Sequence, residues 1–356
     1  MNQQRLQKVL DNMKQAGLHQ LLVTETEPVY YLTGIWVSPM ERMMALYIRS
    51  YCKVTFFGNK LFAIAPQEGL EMVEHTDSDD PVAQLAAAVL PGELGIDETW
   101  PSRFLIGLMS HRPDVKPVLG SEPVAQATMY KDEEERKLMR AASRIDDACI
   151  DMAIHAIREG ITEKELSSKV EHFFQEKGCD HLGFSIVAMG ANGADPHHGT
   201  DGTVLKEGDS IVMDIGAPFN HYWCDMTRTV FYKSASEEQR TVYETVRRAN
   251  EAAIAVVKPG IAFKEIDLAA RKVIEDAGYG EYFTHRTGHS IGMKEHEQPP
   301  VSSECEVIAK PGMIFSIEPG IYLPGKFGVR VEDLVLVTED GCEVLNKYPK
   351  DLIVVE

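Results

Sequence analysis

The chain contains an internal duplication, and this feature limits its possible folds more than any other. Residues 153–178 align without gaps to residues 253–278, and seven of the 26 positions are identical. Each copy has the apolar spacing of a helix, then a glycine stop, then a second helix. Thr162 and Glu165 form a capping-box pattern at the start of the second helix in the first copy. Because strand-like sequence follows each copy, we expect a domain of two related halves with a site where they meet.

Acidic residues stand at matching positions after the two copies. Asp214 and Glu318 each lie six residues after a glycine, and a further acid, Asp225 or Glu332, follows in each half. All four are placed inside apolar, strand-like segments. An ionised carboxylate buried without a partner costs several kcal/mol. We therefore expect these side chains to be neutralised, paired or bound to metal.

Metal is the interpretation that the surrounding sequence favours. The obvious basic neighbours are Arg228 and Arg330, which are too few to balance four carboxylates, whereas two divalent cations would balance them. Six of the twelve histidines lie between residues 197 and 296, and glycine-rich or turn-like surroundings favour His197, His289 and His296. One imidazole with four carboxylates is an oxygen-rich donor set, which suits Mn²⁺, Co²⁺ or Zn²⁺ better than a cysteine-rich structural site does.

Composition excludes several other classes of protein. The chain has 356 residues and a net charge of −19, which repels phosphate backbones and makes a nucleic-acid partner unexpected. The sequence contains no apolar run of the roughly 18–20 residues that a membrane span needs. Its six cysteines are scattered and form no Cys-x-x-Cys pair, which indicates reduced thiols and a cytoplasmic location.

The length predicts two domains. We place the boundary so that an α/β domain covers residues 1–126 and the duplicated domain covers residues 127–356. Segments of strand-like or helix-like composition alternate in the first domain. Strands are expected at 20–24, 29–33, 44–48 and 53–57, and helices near 66–74 and 81–90.

Five short motifs resemble those of the pita-bread metallopeptidases, family M24, which includes methionine aminopeptidase, aminopeptidase P, prolidase and creatinase. The motifs are MDIGA, DMTRT, HRTGHSIG, EPGIY and VRVED, and they carry Asp214, Asp225, His289, Glu318 and Glu332. They follow the family's order and spacing over roughly the last 230 residues. The resemblance implies that these five residues bind two divalent metal ions per subunit, Mn²⁺ or Co²⁺, with Zn²⁺ as a further candidate.

The resemblance also implies a fold and a reaction. The fold is of the α/β (α+β) class, with a small creatinase/prolidase-like N-terminal α/β domain before a pseudo-twofold, pita-bread catalytic domain. The length and the N-terminal domain are most similar to bacterial Xaa-Pro dipeptidases (prolidases), which are usually homodimers. The expected reaction is hydrolysis of the Xaa-Pro bond of dipeptides, which releases proline, by a hydroxide that bridges the two metals.

Further roles follow from the same resemblance. Glu318 is expected to carry the proton, and His197 and His296 match the two histidines that contact substrate and the developing oxyanion. His285 and Arg330 are predicted to bind substrate. His198 has no counterpart among the family's functional histidines, and we assign no role to it from the sequence.

Three alternatives remain open at the level of sequence. Pro300 stands where some prolidases carry an arginine that could hold a dipeptide's carboxylate, so an aminopeptidase P that acts on longer Xaa-Pro peptides stays possible. Some pita-bread proteins bind peptides without catalysis, but these typically lose metal ligands. Creatinase is a metal-free hydrolase of a small guanidino compound and lacks the full ligand set. The five retained ligands favour a metallopeptidase over both.

Overall fold

A computed structural model describes residues 1–51 and 53–356 of the chain. These residues form two compact units, Met1–Thr128 and Met129–Glu356. The boundary drawn from the sequence, between residues 126 and 127, lies two positions before the boundary between these units.

The first unit is built on a mixed sheet. Its strands are β1 (Gln20–Val23), β2 (Ala45–Arg49), β3 (Lys53–Asn59), β4 (Glu71–His75), β5 (Gly92–Ile96) and β6 (Val115–Leu119), in the order β4-β3-β2-β1-β5-β6. The helices that accompany them are α1 (Gln3–Gln15), α2 (Thr26–Thr33), α3 (Pro81–Ala88), α4 (Ser102–His111) and α5 (Glu122–Met129). Strand β1 is fully buried, as an apolar central strand covered on both faces should be.

Two predictions in this unit were wrong. Residues 29–33 were expected to be a strand but lie in α2, which ends at Gly34 in the left-handed conformation that favours glycine. Residues 66–74 were expected to be helical. Gly69 instead has a φ of 76°, which is incompatible with a right-handed helix. The following residues, Glu71–His75, form a strand that pairs in parallel with β3. In both segments the tertiary environment overrides the local preference of the side chains.

The second unit contains the duplication as two helix pairs with two sheets. Its helices are α6 (Glu133–Ala156), α7 (Glu163–Glu176), α8 (Glu237–Val256) and α9 (Phe263–Asp276). The first sheet has the order β19-β11-β8-β7, from β7 (Phe184–Met189), β8 (Ser210–Gly216), β11 (Met226–Tyr232) and β19 (Val354–Val355). The second has the order β13-β12-β14-β17-β18, from β12 (Gly288–Ser290), β13 (Glu297–Val301), β14 (Ile314–Ile317), β17 (Asp333–Val337) and β18 (Cys342–Val344). Two short ribbons complete the unit, β9 (Pro218–Phe219) with β10 (Tyr222–Trp223) and β15 (Gly320–Leu323) with β16 (Phe327–Arg330).

In each half, a later loop is hydrogen-bonded to the N-terminus of the second helix. In the first half, the Glu163 backbone N–H donates to the carbonyl of Thr203, and in the second, the Phe263 N–H donates to the carbonyl of Val307. The predicted capping box at Thr162 is present. Each half therefore anchors one loop to a helix N-terminus, where unsatisfied N–H groups need acceptors.

Each half also has its own apolar core between its helices and its sheet. Phe174 of α7 belongs to the first core, and the rings of Phe263 and Phe315 lie 4.8 Å apart in the second. Full burial of a side chain of this size contributes about 2–3 kcal/mol. The two cores pack against the sheets whose central strands carry or adjoin the acidic residues. The fold agrees with the α/β, two-halved architecture expected from the sequence.

Candidate metal centre and active site

One cavity of about 480 Å³ in the second unit brings the predicted site together. Its wall contains all nine residues singled out from the sequence, Asp214, Asp225, His289, Glu318, Glu332, His197, His296, His285 and Arg330. Asp214 comes from β8, Asp225 directly precedes β11, Glu318 follows β14 and Glu332 directly precedes β17. The four carboxylates thus lie on or directly beside central strands of both halves.

The buried end of the cavity is a compact group of donor atoms. One atom from each of Asp225, His289 and Glu332 lies within 4.8 Å of the other two. His289 Nε2 lies 3.5 Å from Asp225 Oδ2 and 3.5 Å from Glu318 Oε1. The Ser316 hydroxyl donates to Glu318 Oε1 at 3.2 Å and so fixes that side chain. This spacing suits a cation placed between the donor atoms.

Burial of these carboxylates raises their affinity for protons. Desolvation, followed by the neighbouring Glu332 carboxylate, raises the pKa of Asp225 well above its usual range. Desolvation, followed by Glu318, raises the pKa of Glu332 in the same way. Burial raises the pKa of Glu318 to about 7, and the guanidinium of Arg330 opposes part of that rise. Like charges in a low-dielectric site repel one another, so the site favours either protons or metal cations.

Three carboxylate oxygens support the metal over the proton. Asp214 Oδ1, Asp225 Oδ1 and Glu332 Oε1 are buried, and none has a hydrogen-bond partner. Buried polar atoms are nearly always paired in folded proteins, so three unpaired carboxylate oxygens from residues that line one cavity need an explanation. Divalent cations that accept oxygen and imidazole ligands would satisfy all three. The residues present therefore fit the divalent metals that the sequence predicted.

His289 has the protonation state of a metal ligand. Its ring packs against that of His296, with centroids 3.9 Å apart, and burial lowers the pKa of His289 to about 3. Its Nδ1 lies 3.1 Å from the carbonyl oxygen of Ser290, which assigns the ring proton to Nδ1. The Nε2 lone pair then points toward Asp225 and Glu318. A neutral imidazole with one nitrogen held by a carbonyl is the usual arrangement in metal sites.

Arg330 and His285 form a chain of hydrogen bonds in the cavity wall. Arg330 Nη2 donates to Asp214 Oδ2 at 2.6 Å, Nη1 donates to the Tyr322 hydroxyl at 2.9 Å and Nε donates to Thr227 Oγ1 at 3.1 Å. The Tyr322 hydroxyl in turn lies 2.8 Å from His285 Nε2. Because Arg330 is 3% exposed and already engaged, the geometry supports a role in holding Asp214. Substrate binding by His285 and Arg330 stays a prediction.

His197 and His296 lie at the open side of the cavity. Both are exposed. Burial lowers the pKa of the neighbouring imidazoles of His285 and His289, and the charges of His197 and His296, respectively, add to that effect. His296 Nδ1 lies 3.5 Å from Nη2 of Arg286. Donors in these positions could reach a ligand that enters the cavity from solvent. Their catalytic roles stay predictions.

Sequence reasoning missed several residues of this site. Arg286 and Glu295 line the cavity, together with the apolar side chains Phe184 and Ile186. Arg286 lies three residues before His289, inside a motif that had already been recognised, so its position was a usable signal. Tyr322 gave no such signal, because its partners lie in other segments of the chain.

Comparison with known proteins agrees with this geometry. Residues 137–339 match the model of metallopeptidase family M24, and residues 5–128 match the creatinase/prolidase N-terminal domain. The chain belongs to metallopeptidase family M24. It is therefore a hydrolase of a family whose peptidases use divalent metals, and the resemblance seen in its motifs is confirmed.

Solved structures of M24 relatives superpose closely on the chain. A dipeptidase from Pyrococcus horikoshii OT3 is 35% identical with a TM-score of 0.94, and the match covers 98% of this chain and 99% of that one. A recombinant prolidase from Thermococcus sibiricus is 34% identical with a TM-score of 0.93, and the match covers 99% of both chains. An uncharacterized peptidase of Staphylococcus aureus strain MSSA476 is 34% identical over 97% of this chain and 99% of its own. This M24 chain is thus of the dipeptidase and prolidase type.

The sequence of this M24 peptidase also predicted a metal, an oligomeric state and a cellular location. Among residues 1–51 and 53–356, no helix is long and apolar enough to cross a membrane. Manganese as the metal, a homodimer and a cytoplasmic location stay predictions.

Proposed function

We propose that this protein is an Xaa-Pro dipeptidase that uses two divalent metal ions. The observation that carries the proposal is the convergence, in one cavity, of five potential metal ligands with His197, His296 and the guanidinium of Arg286. The five potential metal ligands suit hydrolysis of an amide. The two histidines and the guanidinium suit a short substrate with a free carboxylate. Similarity to a prolidase over the full chain supports the same assignment.

Asp214, Asp225, His289, Glu318 and Glu332 would hold the two ions. When bound, such ions lower the pKa of water and polarise a carbonyl, and both effects promote attack on an amide. The protein contributes the fixed positions of these ligands, through the Arg330–Asp214 ion pair and the hydrogen bond from Ser316 to Glu318.

We infer that Glu318 moves the proton. In this mechanism its carboxylate takes a proton from the attacking water as the oxygen bonds to the carbonyl carbon. It then delivers that proton to the proline nitrogen, the C–N bond breaks, and the amino acid Xaa and proline are released. The transfer is required because an unprotonated amide nitrogen is a poor leaving group, and the prolyl nitrogen must gain one proton to leave as the secondary amine of proline. A carboxylate can serve first as a general base and then as a general acid in such a two-way transfer.

The two exposed histidines would stabilise the charge that develops on the substrate oxygen. Burial and the guanidinium of Arg286 lower the pKa of His296, so its neutral imidazole can donate a hydrogen bond. His197 faces the same cavity. Removal of a well-placed donor of this kind costs roughly 100- to 1,000-fold in kcat.

Arg286 would determine the preferred length of the substrate. It lines the cavity and contacts His296, whereas Arg330 is already engaged with Asp214. A guanidinium binds a carboxylate through two parallel hydrogen bonds. The C-terminal carboxylate of a dipeptide lies next to the scissile bond and could reach Arg286, but that of a longer peptide would lie elsewhere. This geometry favours a dipeptidase over an aminopeptidase P.

The test is hydrolysis by protein that has been stripped with EDTA and then reloaded with Mn²⁺ or Co²⁺. Ala-Pro, Ala-Pro-Ala and Ala-Ala are compared at equal concentration. We expect Ala-Pro to be cleaved at least tenfold more efficiently than either control. Preference for Ala-Pro-Ala would indicate aminopeptidase P activity, preference for Ala-Ala would remove the proline specificity, and no cleavage with metal demonstrably bound would overturn the proposal.

A further inference from the structure

Glu163 is a buried carboxylate that the proposed mechanism does not use. It is the first residue of α7 and its exposure is 0%. Its Oε1 accepts from the Met189 backbone N–H at 2.7 Å and from Asn192 Nδ2 at 2.9 Å. Its Oε2 accepts from His198 Nε2 at 2.8 Å and from the Asp201 backbone N–H at 3.0 Å. One side chain thus holds both ends and the middle of the loop that runs from 189 to 201.

A second metal site is the obvious alternative for these residues, because donor atoms of Glu163, His198 and Asp201 lie within 4.8 Å of one another. The hydrogen bonds argue against it. Both oxygens of Glu163 already accept two hydrogen bonds each, whereas the oxygens of the metal centre include several without any partner. A cation at Glu163 would have to displace two of these donors from either oxygen. The group is therefore better described as a hydrogen-bond centre than as a cation site.

The fold itself does not require a carboxylate at this position. The duplication aligns Glu163 with Phe263, which begins α9 and is fully buried against Phe315. The backbone attachment of the following loop to the helix is present in both halves. The second half therefore makes the same attachment of loop to helix with an apolar residue. A buried carboxylate costs free energy unless it is fully paired, so Glu163 in the first half must serve a purpose other than the attachment.

We look for this purpose in His197, the neighbour of His198 in the chain. His197 is the residue that faces the metal centre, and it is flanked by two anchored neighbours. On one side, His198 donates to Glu163, and on the other, Arg330 Nη1 lies 3.5 Å from the carbonyl oxygen of Pro196. Held at both neighbours, the backbone of His197 has little freedom to move relative to Asp214.

We propose that Glu163 is a positioning residue for His197, which it aligns through His198 and the 189–201 loop. This inference rests on the proposed function, in which His197 stabilises the developing oxyanion. In Glu163→Gln the amide NH₂ faces two N–H donors that previously had an acceptor, so the loop relaxes while the side-chain volume is kept. Displacements of about 1 Å at such a site cost up to roughly 100-fold in rate.

The experiment is a double-mutant cycle on the metal-loaded protein with Ala-Pro as substrate. Glu163→Gln is expected to lower kcat about 10- to 100-fold with an unchanged metal content. In a His197→Ala background the same substitution is expected to lower kcat less than about twofold, because its effect acts through an imidazole that is already absent. An effect of equal size in both backgrounds, or no effect in the wild-type background, would overturn the proposal.

Two further variants keep the test decisive. His198→Gln alters only one of the four hydrogen bonds, so it serves if Glu163→Gln does not fold, and it should show the same dependence on His197 with a smaller loss. Glu176→Gln, an exposed residue near the end of the same helix, should leave kcat unchanged. If wild-type protein does not cleave Ala-Pro, the proposed function fails and this proposal fails with it. If it does cleave Ala-Pro but shows no coupling, the positioning role alone is wrong.

Discussion

Arg330 Nη2 and Asp214 Oδ2 lie 2.6 Å apart in a buried ion pair that joins the two halves of the catalytic unit. Asp214 is a ligand candidate on the first sheet, and Arg330 ends a ribbon of the second half. The other oxygen, Asp214 Oδ1, is buried and has no hydrogen-bond partner. The ion pair therefore fixes the orientation of a carboxylate that lines the cavity.

The first prediction concerns this ion pair. Arg330→Gln leaves the charge of Asp214 buried without its partner, so we expect a loss of roughly 3–5 kcal/mol of stability in the metal-free protein. We also expect affinity for Mn²⁺ to fall by roughly 10- to 100-fold, because a ligand's supporting contact has been removed. Urea unfolding and calorimetric titration would measure the two effects. Exposed Arg248→Gln is the control, and equal effects from both substitutions would contradict the prediction.

The second prediction concerns Glu318 as proton carrier. Glu318→Gln keeps the size of the side chain but cannot accept the proton from water, so kcat on Ala-Pro should fall by about 100- to 10,000-fold. Metal content should be measured on the same preparation by elemental analysis, because Glu318 is also a ligand candidate. Turnover near the wild-type rate would show that another group carries the proton.

The third prediction concerns the stability of the metal-free protein between pH 6.5 and pH 8. Burial raises the pKa of Glu318 to about 7 and also raises the pKa values of Asp225 and Glu332 well above their usual range. The folded state therefore holds protons that the unfolded state has already released, and stability falls as pH rises through this window. Buried histidines with lowered pKa values, such as His285, oppose the trend only below about pH 6.5, where unfolded histidine titrates.

Urea unfolding of EDTA-treated protein at several pH values would test this trend. Asp225→Asn removes one raised carboxyl, so its stability should fall less steeply with pH. Added Mn²⁺ should reverse the trend, because metal binds the ionised carboxylates and competes with protons. Metal-free stability that rises between pH 6.5 and pH 8 would be inconsistent with buried carboxyls of raised pKa.

The fourth prediction concerns Arg286 and substrate length. Arg286→Gln removes the guanidinium proposed to bind the dipeptide's carboxylate, so KM for Ala-Pro should rise by about tenfold or more, as expected for loss of a charge-assisted hydrogen bond. KM for Ala-Pro-amide, which has no carboxylate, should be nearly unchanged. Steady-state kinetics on the two substrates would separate this role from a general loss of structure, and an equal rise for both would rule it out.

Local sequence was sufficient for the parts of the protein that repeat or alternate. The helix pair after residue 153 and its second copy were predicted from spacing, and the capping box at Thr162 is confirmed. Residues 29–33 were misjudged because valine, tyrosine and threonine favour strands locally, while their burial in α2 depends on neighbours distant in sequence.

The amino-acid sequence by itself determined the family, the two-halved architecture and the identity of the acidic and histidine residues now found in one cavity. These properties depend on residue type and spacing, which the sequence shows directly. Only the tertiary structure decided that Arg330 pairs with Asp214, 116 residues away, and that Glu163 supports the loop of His197. Such pairings depend on where separate strands and loops meet, and spacing along the chain carries no information about those distances.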